Sequence, residues 1–280
     1  KAIWKKYRGA LCVLLAVLCG VTTLAGWGAL TLDPRSETVY IGDPTAFHYG
    51  RDGKKYVIAN GSTSILVLDQ ENRYVRTISG GKESKGFYYA QTLASDEAGN
   101  LYVHDRLLGD DGKSVESERI AVFDSSGTFV DFLYEEDHGE TGGENRNRVM
   151  GLTWRDGALY FVRVGMSRLD LQRLDTETGE LTQVAAYTYQ GAYRFVMYCA
   201  ITPELQVCFS DKYGSVWLAA EDGSHDCLYN AEEHGTEAFY SIATNLACGP
   251  DGSVYFNDVG QREIRRVLPD GALETVVGRG

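Results

Sequence analysis

The chain repeats one short pattern five times, and this repetition constrains its fold more than any other feature. In each copy a tight turn precedes an apolar stretch that is built around one anchor residue: Tyr56, Tyr102, Tyr160, Cys208 and Tyr255. Successive anchors lie 46, 58, 48 and 47 residues apart in the numbering. This period indicates a unit that is larger than a single hairpin and is repeated along most of the chain.

Each copy contains four short predicted strands. One apolar strand precedes the anchor strand and two further strands follow it, as in the last copy, "TNLACGPDGSVYFNDVGQREIRRVLPDGALETVV". Tight turns of the Asp-Gly type connect these strands and favour hairpins. Four-stranded units of about 40–50 residues are typical of β-propeller blades. We therefore predict an all-β propeller with blades at about residues 42–80, 87–135, 146–190, 193–232 and 239–280.

A segment before the first blade indicates a ring with one more blade. The sequence "ETVYI" at residues 37–41 is similar to "ETVVG" at residues 274–278, which is the fourth strand of the last copy. Propellers remove exposed strand edges by closing their ring, and commonly pair an N-terminal strand with three C-terminal ones. We therefore expect a truncated six-bladed ring, in which residues 37–41 are the outer strand of a sixth blade that continues after residue 280.

Two of the repeated stretches carry a resemblance to a known superfamily. "LASDEAGNLYVHD" and "LACGPDGSVYFND" resemble the repeats of the NHL-repeat and gluconolactonase-like propellers. The resemblance covers residues 42–280 and implies about six blades around a central channel. For an enzyme of the gluconolactonase-like kind, it would also imply a metal ion held in the channel by carboxylate and Asn side chains.

The metal ligands of that family do not transfer to this sequence. Asp43 lies roughly where the family has an acidic ligand. Asn245 lies near an expected Asn but is one residue out of step with its turn, and a one-residue slip moves a side chain to the other face of a strand. The first strands of blades 2 to 4 offer no further ligands. We therefore expect no metal and no other cofactor.

The N-terminal region has the pattern of a membrane anchor. Residues 9–32 contain no charged side chain and would span about 36 Å as a helix, at roughly 1.5 Å per residue. Residues 1–8 carry four cations, which favours a cytoplasmic N-terminus and an extracytoplasmic segment 33–280. A cleaved signal peptide is the alternative, although its apolar core is normally about 7–15 residues. We expect a single-pass protein of the cell membrane.

The charge of the chain restricts its partners. It has 27 basic and 39 acidic residues, for a formal net charge of −12. The predicted anchor region contains basic residues but no acidic ones, so the remainder of the chain is more acidic still. An acidic surface repels the phosphate backbone, so we expect no nucleic-acid partner.

Two cysteines flank a predicted hairpin. Cys199 and Cys208 enclose "AITPELQV", and a turn centred on residues 203 and 204 would place the two sulfur atoms opposite each other. An oxidising compartment would permit a disulfide. Cross-strand disulfides are geometrically demanding and free buried cysteines are common, so both alternatives stay open.

Candidate binding residues cluster at one predicted face of the propeller. Blade 2 has long connections after its second and fourth strands, and such loops emerge on the same face. Aromatic residues enter this face at equivalent places, 15 residues before their anchors: Phe87, Tyr193 and Tyr240. Packing between blades explains these aromatics equally well. His104 and Arg106, at the end of the second strand of blade 2, and His48, in the first strand of blade 1, complete the candidate set.

The sequence favours binding over catalysis. It contains no G-x-S-x-G, no H-E-x-x-H and no phosphate-binding glycine loop, and so predicts no catalytic residues. Polar residues that end the second strands are expected to bind backbone amides: Asn60, Asp105, Asp211 and Asp258. We predict a sensor or scaffold module that binds a small ligand, a protein or a peptide. The alternatives are a metal-dependent propeller hydrolase, lactonase or lyase, and a purely structural surface protein.

Overall fold

The computed structural model describes residues 41–112, 114–138, 148–165, 167–188, 196–220, 222–231, 233, 243–259 and 261–278. These residues form twenty β-strands in five antiparallel sheets of four, with no α-helix among them. Each sheet is a meander in which the strands pair in sequence order. The described part of the chain is therefore an all-β propeller with five four-stranded blades, which confirms the predicted fold class at this level.

We call the sheets blades 1 to 5 and their successive strands A to D. Blade 1 comprises β1 (Ala46–Tyr49), β2 (Lys55–Ala59), β3 (Ser64–Leu68) and β4 (Tyr74–Ser79). Blade 2 comprises β5 (Ala90–Ser95), β6 (Leu101–Leu108), β7 (Val115–Phe123) and β8 (Phe129–Asp137). Blade 3 comprises β9 (Arg148–Arg155), β10 (Ala158–Val164), β11 (Arg168–Asp175) and β12 (Leu181–Thr188). Blade 4 comprises β13 (Val196–Ile201), β14 (Val207–Asp211), β15 (Val216–Ala219) and β16 (His225–Tyr229). Blade 5 comprises β17 (Ala243–Cys248), β18 (Val254–Asp258), β19 (Glu263–Val267) and β20 (Leu273–Val277).

The turns are fixed by aspartate side chains and glycines at the predicted places. In the β7–β8 turn the Asp124 carboxylate accepts hydrogen bonds from the backbone nitrogens of Ser126 and Thr128, both at 2.9 Å. Gly127 has a φ of 80°, which a residue without a Cβ atom adopts readily. These turns set the register of each hairpin and hence the face on which each side chain lies.

The core lies in the gaps between consecutive blades. Alternate residues of a strand face opposite sides of its sheet, so Val103 of β6 packs in the gap toward blade 1 and Tyr102 packs in the gap toward blade 3. Equivalent buried clusters fill the gaps between blades 3 and 4 and between blades 4 and 5. Because a blade with two neighbours is buried on both faces, the first halves of the B strands are apolar, as in Leu101, Tyr102 and Val103 of β6.

The outer faces of blades 1 and 5 are less covered than the gaps. The A strands of consecutive blades pack side by side, whereas no comparable packing joins β17 to β1 within the described ranges. On β1, Phe47 and Tyr49 are 62% and 58% exposed. On β20, Val276 and Val277 are 48% and 58% exposed. The predicted sixth blade is not part of the described structure.

The strand register favours free thiols over the possible disulfide between Cys199 and Cys208. Cys199 lies opposite Phe209, and Cys208 lies opposite Ala200, so the two side chains point to opposite faces of blade 4. The reason is one extra turn residue, Leu205, which has a φ of 63° and moves the centre of the hairpin by half a residue. Both cysteines are buried free thiols.

The predicted anchor, residues 9–32, lies outside the described residues. Among the residues that are described, no helix is long and apolar enough to cross a membrane.

Candidate functional site

Two of the predicted site residues lie together where blade 2 meets blade 3. His104 and Arg106 are two residues apart on β6, so both share the sheet face of Tyr102, which packs toward blade 3. β6 continues to Leu108, whereas its pairing with the inner strand β5 ends at Asp105. Arg106 therefore lies beyond the inner strand, at the end of the blades where the B–C and D–A connections emerge, which we call the loop face.

Glu118 of β7 binds both of these side chains. Its Oε2 atom shares a short hydrogen bond with His104 Nε2, and its Oε1 atom accepts one from Arg106 Nε at 3.0 Å. His104 and Glu118 are each 1% exposed. Burial acts to raise the pKa of Glu118, but the charges and hydrogen bonds of His104 and Arg106 outweigh it and lower this pKa below its usual range.

A second carboxylate lies beside the first. Glu136 of β8 is the cross-strand partner of Glu118, and it accepts a hydrogen bond from the Tyr134 hydroxyl. Arg163 of blade 3 reaches across the gap and donates to both Glu136 oxygens, with its Nε atom at 3.0 Å. Like charges opposite each other on neighbouring strands are destabilising. Arg106 offsets this repulsion at Glu118, and Arg163 offsets it at Glu136.

Two groups of this cluster keep hydrogen-bonding capacity. The His104 Nδ1 atom is buried and has no hydrogen-bond partner among the described residues. Within the same part of the chain, the side chain of Arg106 bonds only through Nε, so its two terminal nitrogens bond to nothing described. We call the cluster of His104, Arg106, Glu118, Tyr134, Glu136 and Arg163 the polar junction.

The other predicted site residues are not part of the polar junction. His48 lies beside the A–B turn of blade 1, at the opposite end of the blades, where its Nε2 atom is 2.9 Å from Ser95 Oγ. Phe87 is 1% exposed and packs edge-to-face against Phe123, with ring centroids 6.0 Å apart. Its ring is therefore part of the core between blades 1 and 2. Tyr193 and Tyr240 lie outside the described residues.

The carboxylates at the predicted ends of the B strands bind backbone amides, although β6 itself continues past Asp105 to Leu108. Asp105 accepts hydrogen bonds from the backbone nitrogens of Tyr88 and Tyr89, both at 2.7 Å. Asp211 accepts a hydrogen bond from the backbone nitrogen of Ser215 at 3.1 Å. Asp258 accepts one from the backbone nitrogen of Gln261 at 3.0 Å. These aspartates hold loops in place, whereas Asn60 adopts a φ of 54° in its turn.

The described residues contain no group of three or more His, Cys, Asp or Glu side chains that could hold a metal ion. Asn245, which is exposed, has a φ of 55° at a point where β17 pairs irregularly with β18. This backbone irregularity interrupts the alternation of side chains at the position where the family resemblance would require a ligand.

Four residues of the polar junction were not predicted from the sequence: Glu118, Tyr134, Glu136 and Arg163. Glu118 lies two residues before the buried Ile120, so strand alternation alone places a carboxylate on a core-facing position. That signal was available in "SERIAVF". The contact between Glu136 and Arg163 joins two blades, and no local pattern indicates it.

Fold and site together define a β-propeller with a buried His–Glu–Arg cluster between two blades. No protein-family model matches the chain, and no curated protein matches it. Among solved structures, it is similar to a streptogramin B lyase, with a TM-score of 0.54 and 15% identity over 87% of this chain and 71% of that one.

Two further solved structures are similar. A structural genomics protein of unknown function from Bacteroides thetaiotaomicron has a TM-score of 0.60 and 15% identity, over 86% of this chain and 59% of that one. A virginiamycin B lyase from Staphylococcus aureus has a TM-score of 0.50 and 13% identity, over 83% of this chain and 69% of that one. At these identities the likeness concerns the propeller fold alone, and it does not establish the resemblance to NHL repeats.

Proposed function

We propose that the protein is a ligand-binding propeller, a sensor or scaffold module, whose binding site is the polar junction at the loop face. One observation carries this proposal. Glu118 binds both His104 and Arg106, while His104 Nδ1 and the terminal nitrogens of Arg106 bond to no described residue. A buried polar atom without a partner costs free energy. A small molecule or peptide that supplies hydrogen bonds here would recover that cost.

A thermal-shift screen of small molecules and peptides tests this proposal. We expect a ligand that raises the melting temperature of the wild type and whose effect is lost in His104→Gln. His48→Gln is the matched control, because it changes a half-buried histidine at the opposite end of the blades. A ligand effect that survives in His104→Gln and disappears in His48→Gln would place the site at the A–B end instead.

A lyase is the second candidate function. In the tautomer whose proton lies on Nε2 and is directed at Glu118, the uncharged His104 ring would have its lone pair on Nδ1, where it could accept a proton. A base that is oriented by a carboxylate in this way suits proton abstraction next to a carbonyl group, which starts an elimination. The fold neighbours include streptogramin B and virginiamycin B lyases, one of them a catalytically inactive His-to-Ala variant with quinupristin.

Incubation with quinupristin, followed by mass spectrometry, tests the lyase candidate. Turnover by the wild type and by His48→Gln, with loss in His104→Ala, is the expected result for an enzyme. Wild-type protein that leaves quinupristin intact would remove this substrate from consideration and leave the binding proposal in place.

We also propose that the propeller is extracytoplasmic and anchored through residues 9–32. The 24 uncharged residues after four cations support this arrangement. In bacterial expression the protein should stay in the membrane fraction, with the blades digested by external protease. A soluble product that begins near residue 33 would indicate a cleaved signal peptide.

We further infer that the exposed faces of blades 1 and 5 are covered by a sixth blade with residues 37–41 as its outer strand. Ile41 supports this arrangement, because it packs against the cluster of Val57, Ala59 and Leu66 on the outer face of blade 1. The exposed Phe47 lies on the same strand face as the β2 partner Val57. A further sheet on this face would bury both aromatic and aliphatic surface.

A further inference from the structure

Three arginines of blades 2 and 3 lie near the loop face, and they differ in which guanidinium nitrogens form hydrogen bonds. Arg119 donates to Asp105 through both Nε, at 3.0 Å, and Nη2. Arg163 likewise uses Nε and Nη2 on Glu136. Arg106 donates through Nε alone, at 3.0 Å, to Glu118. Of these three guanidinium groups, only that of Arg106 has its two terminal nitrogens without a described partner.

The guanidinium of Arg106 is also held in place and accessible. Its backbone nitrogen donates to the Tyr89 carbonyl at 3.1 Å, which continues the pairing just beyond the end of β5. Its side chain is 23% exposed, whereas the Glu118 carboxylate that holds Nε is 1% exposed. The charged group is therefore fixed on its inner side by a buried carboxylate and reaches solvent on the other.

This arrangement matches the recognition of oxyanions. The two terminal nitrogens of a guanidinium form a planar fork whose spacing fits the two oxygens of a carboxylate or a phosphate. A fork that is already fixed loses less conformational entropy when a ligand binds. We propose that the ligand of the polar junction carries a carboxylate or a phosphate, which binds the terminal nitrogens of Arg106.

The local charge permits an anion although the whole chain is acidic. The formal charges of Arg106, Arg119 and Arg163 are matched by those of Asp105, Glu118 and Glu136. An oxyanion at Arg106 would therefore bind beside three matched ion pairs. Glu135 and Asp137, opposite Arg119 and Ser117 on β8, add negative charge to the other face of this blade, and the net charge of −12 disfavours anions elsewhere on the surface. This inference rests on the proposed binding function and specifies the chemical class of its ligand.

Binding of succinate and of inorganic phosphate to the full chain, at constant ionic strength, tests the inference. We expect the wild type to bind at least one probe by calorimetry, and Arg106→Gln to bind it at least about tenfold more weakly. Arg106→Lys should be intermediate, because it keeps the charge but loses the fork. Arg73→Gln, at an exposed ion pair of the β3–β4 turn, is the matched control and should bind as the wild type does.

The two probes distinguish a carboxylate site from a phosphate site. Equal affinities of wild type and Arg106→Gln, or no binding of either probe to the wild type, would overturn the inference. If Arg106→Gln does not fold, the Arg106→Lys comparison decides, with its melting temperature as the check. An uncharged ligand that depends on His104 but not on Arg106 would refute the oxyanion inference while leaving the binding function intact.

Discussion

His48 Nε2 lies 2.9 Å from Ser95 Oγ, so a histidine of blade 1 is hydrogen-bonded to the end of strand A of blade 2. The backbone nitrogen of Arg51 donates to the same hydroxyl oxygen at 3.2 Å. Burial lowers the pKa of His48 to about 4, and the nearby Asp52 offsets part of this effect. The neutral form of His48 is therefore part of the contact between the two blades.

The pH dependence of stability should report on this contact. The folded-state pKa of His48, about 4, lies below the unfolded value of about 6.5, so the unfolded state binds more protons between these two values. The stabilisation is complete above about pH 6.5 and is lost as the pH falls toward 4. Urea denaturation should show a shallower decline for His48→Gln than for the wild type, and parallel profiles would contradict this assignment.

Phe87→Ala should destabilise the protein rather than weaken a ligand directly. The ring is 1% exposed between blades 1 and 2, and it lies so close to Gly80 that a Cβ atom there would overlap it. Loss of a buried phenylalanine typically costs about 3–5 kcal/mol. The urea midpoint should fall strongly in Phe87→Ala and little in Val130→Ala, where the side chain is 59% exposed. Similar midpoints for both variants would show that Phe87 is not a core residue.

The thiols of blades 4 and 5 should react at very different rates. Burial raises the pKa values of Cys199 and Cys248 to about 12, and burial also raises that of Cys208. Because the thiolate is the reactive form, a raised pKa slows the reaction of these three thiols. Cys227, in contrast, is exposed to solvent. Peptide mapping after N-ethylmaleimide treatment should find Cys227 modified first and the other three only after denaturation. A disulfide between Cys199 and Cys208 in the native protein would contradict the register of β13 and β14.

Phe47 tests whether another blade covers blade 1. In the full-length protein, Phe47→Ser should lower the melting temperature, because a covering sheet would bury a ring that is 62% exposed in the described structure. Val130→Ser, at a residue 59% exposed on the outer strand β8, is the control and should have little effect. Equal, small effects of both substitutions would mean that the outer face of blade 1 stays open to solvent.

The repeated anchors were sufficient to predict the blades. Tyr255 lies inside β18 (Val254–Asp258) and Tyr102 lies inside β6, as the five aligned turns indicated. The hairpin of Cys199 and Cys208 was mispredicted, because a two-residue turn was assumed where Leu205 adds a residue with positive φ. Nothing in the local composition distinguishes the predicted turn from the observed one. The predicted turn would place both cysteines on one face of the sheet, whereas the observed turn places them on opposite faces.

The candidate site was only partly predictable for a related reason. His104 and Arg106 were found because they lie within β6, a strand whose position the repeat defines. Their partner Glu118 depends on the register of β6 with β7, and Arg163 depends on how blade 3 packs on blade 2. Contacts across strands and blades follow from three-dimensional packing, which a single sequence specifies only indirectly.

The separate cores between blades have a consequence for the way this protein unfolds. Blade 3 shares a buried cluster with each of two neighbours, whereas blades 1 and 5 each share one with a single neighbour. Arrays of this kind lose structure from their least supported members, because each interface contributes its own nearest-neighbour free energy. In protein limited to residues 1–280, without the proposed sixth blade, amide hydrogen exchange should therefore be slowest in β10 and progressively faster toward β2 and β18, so that the centre of the array outlasts its ends.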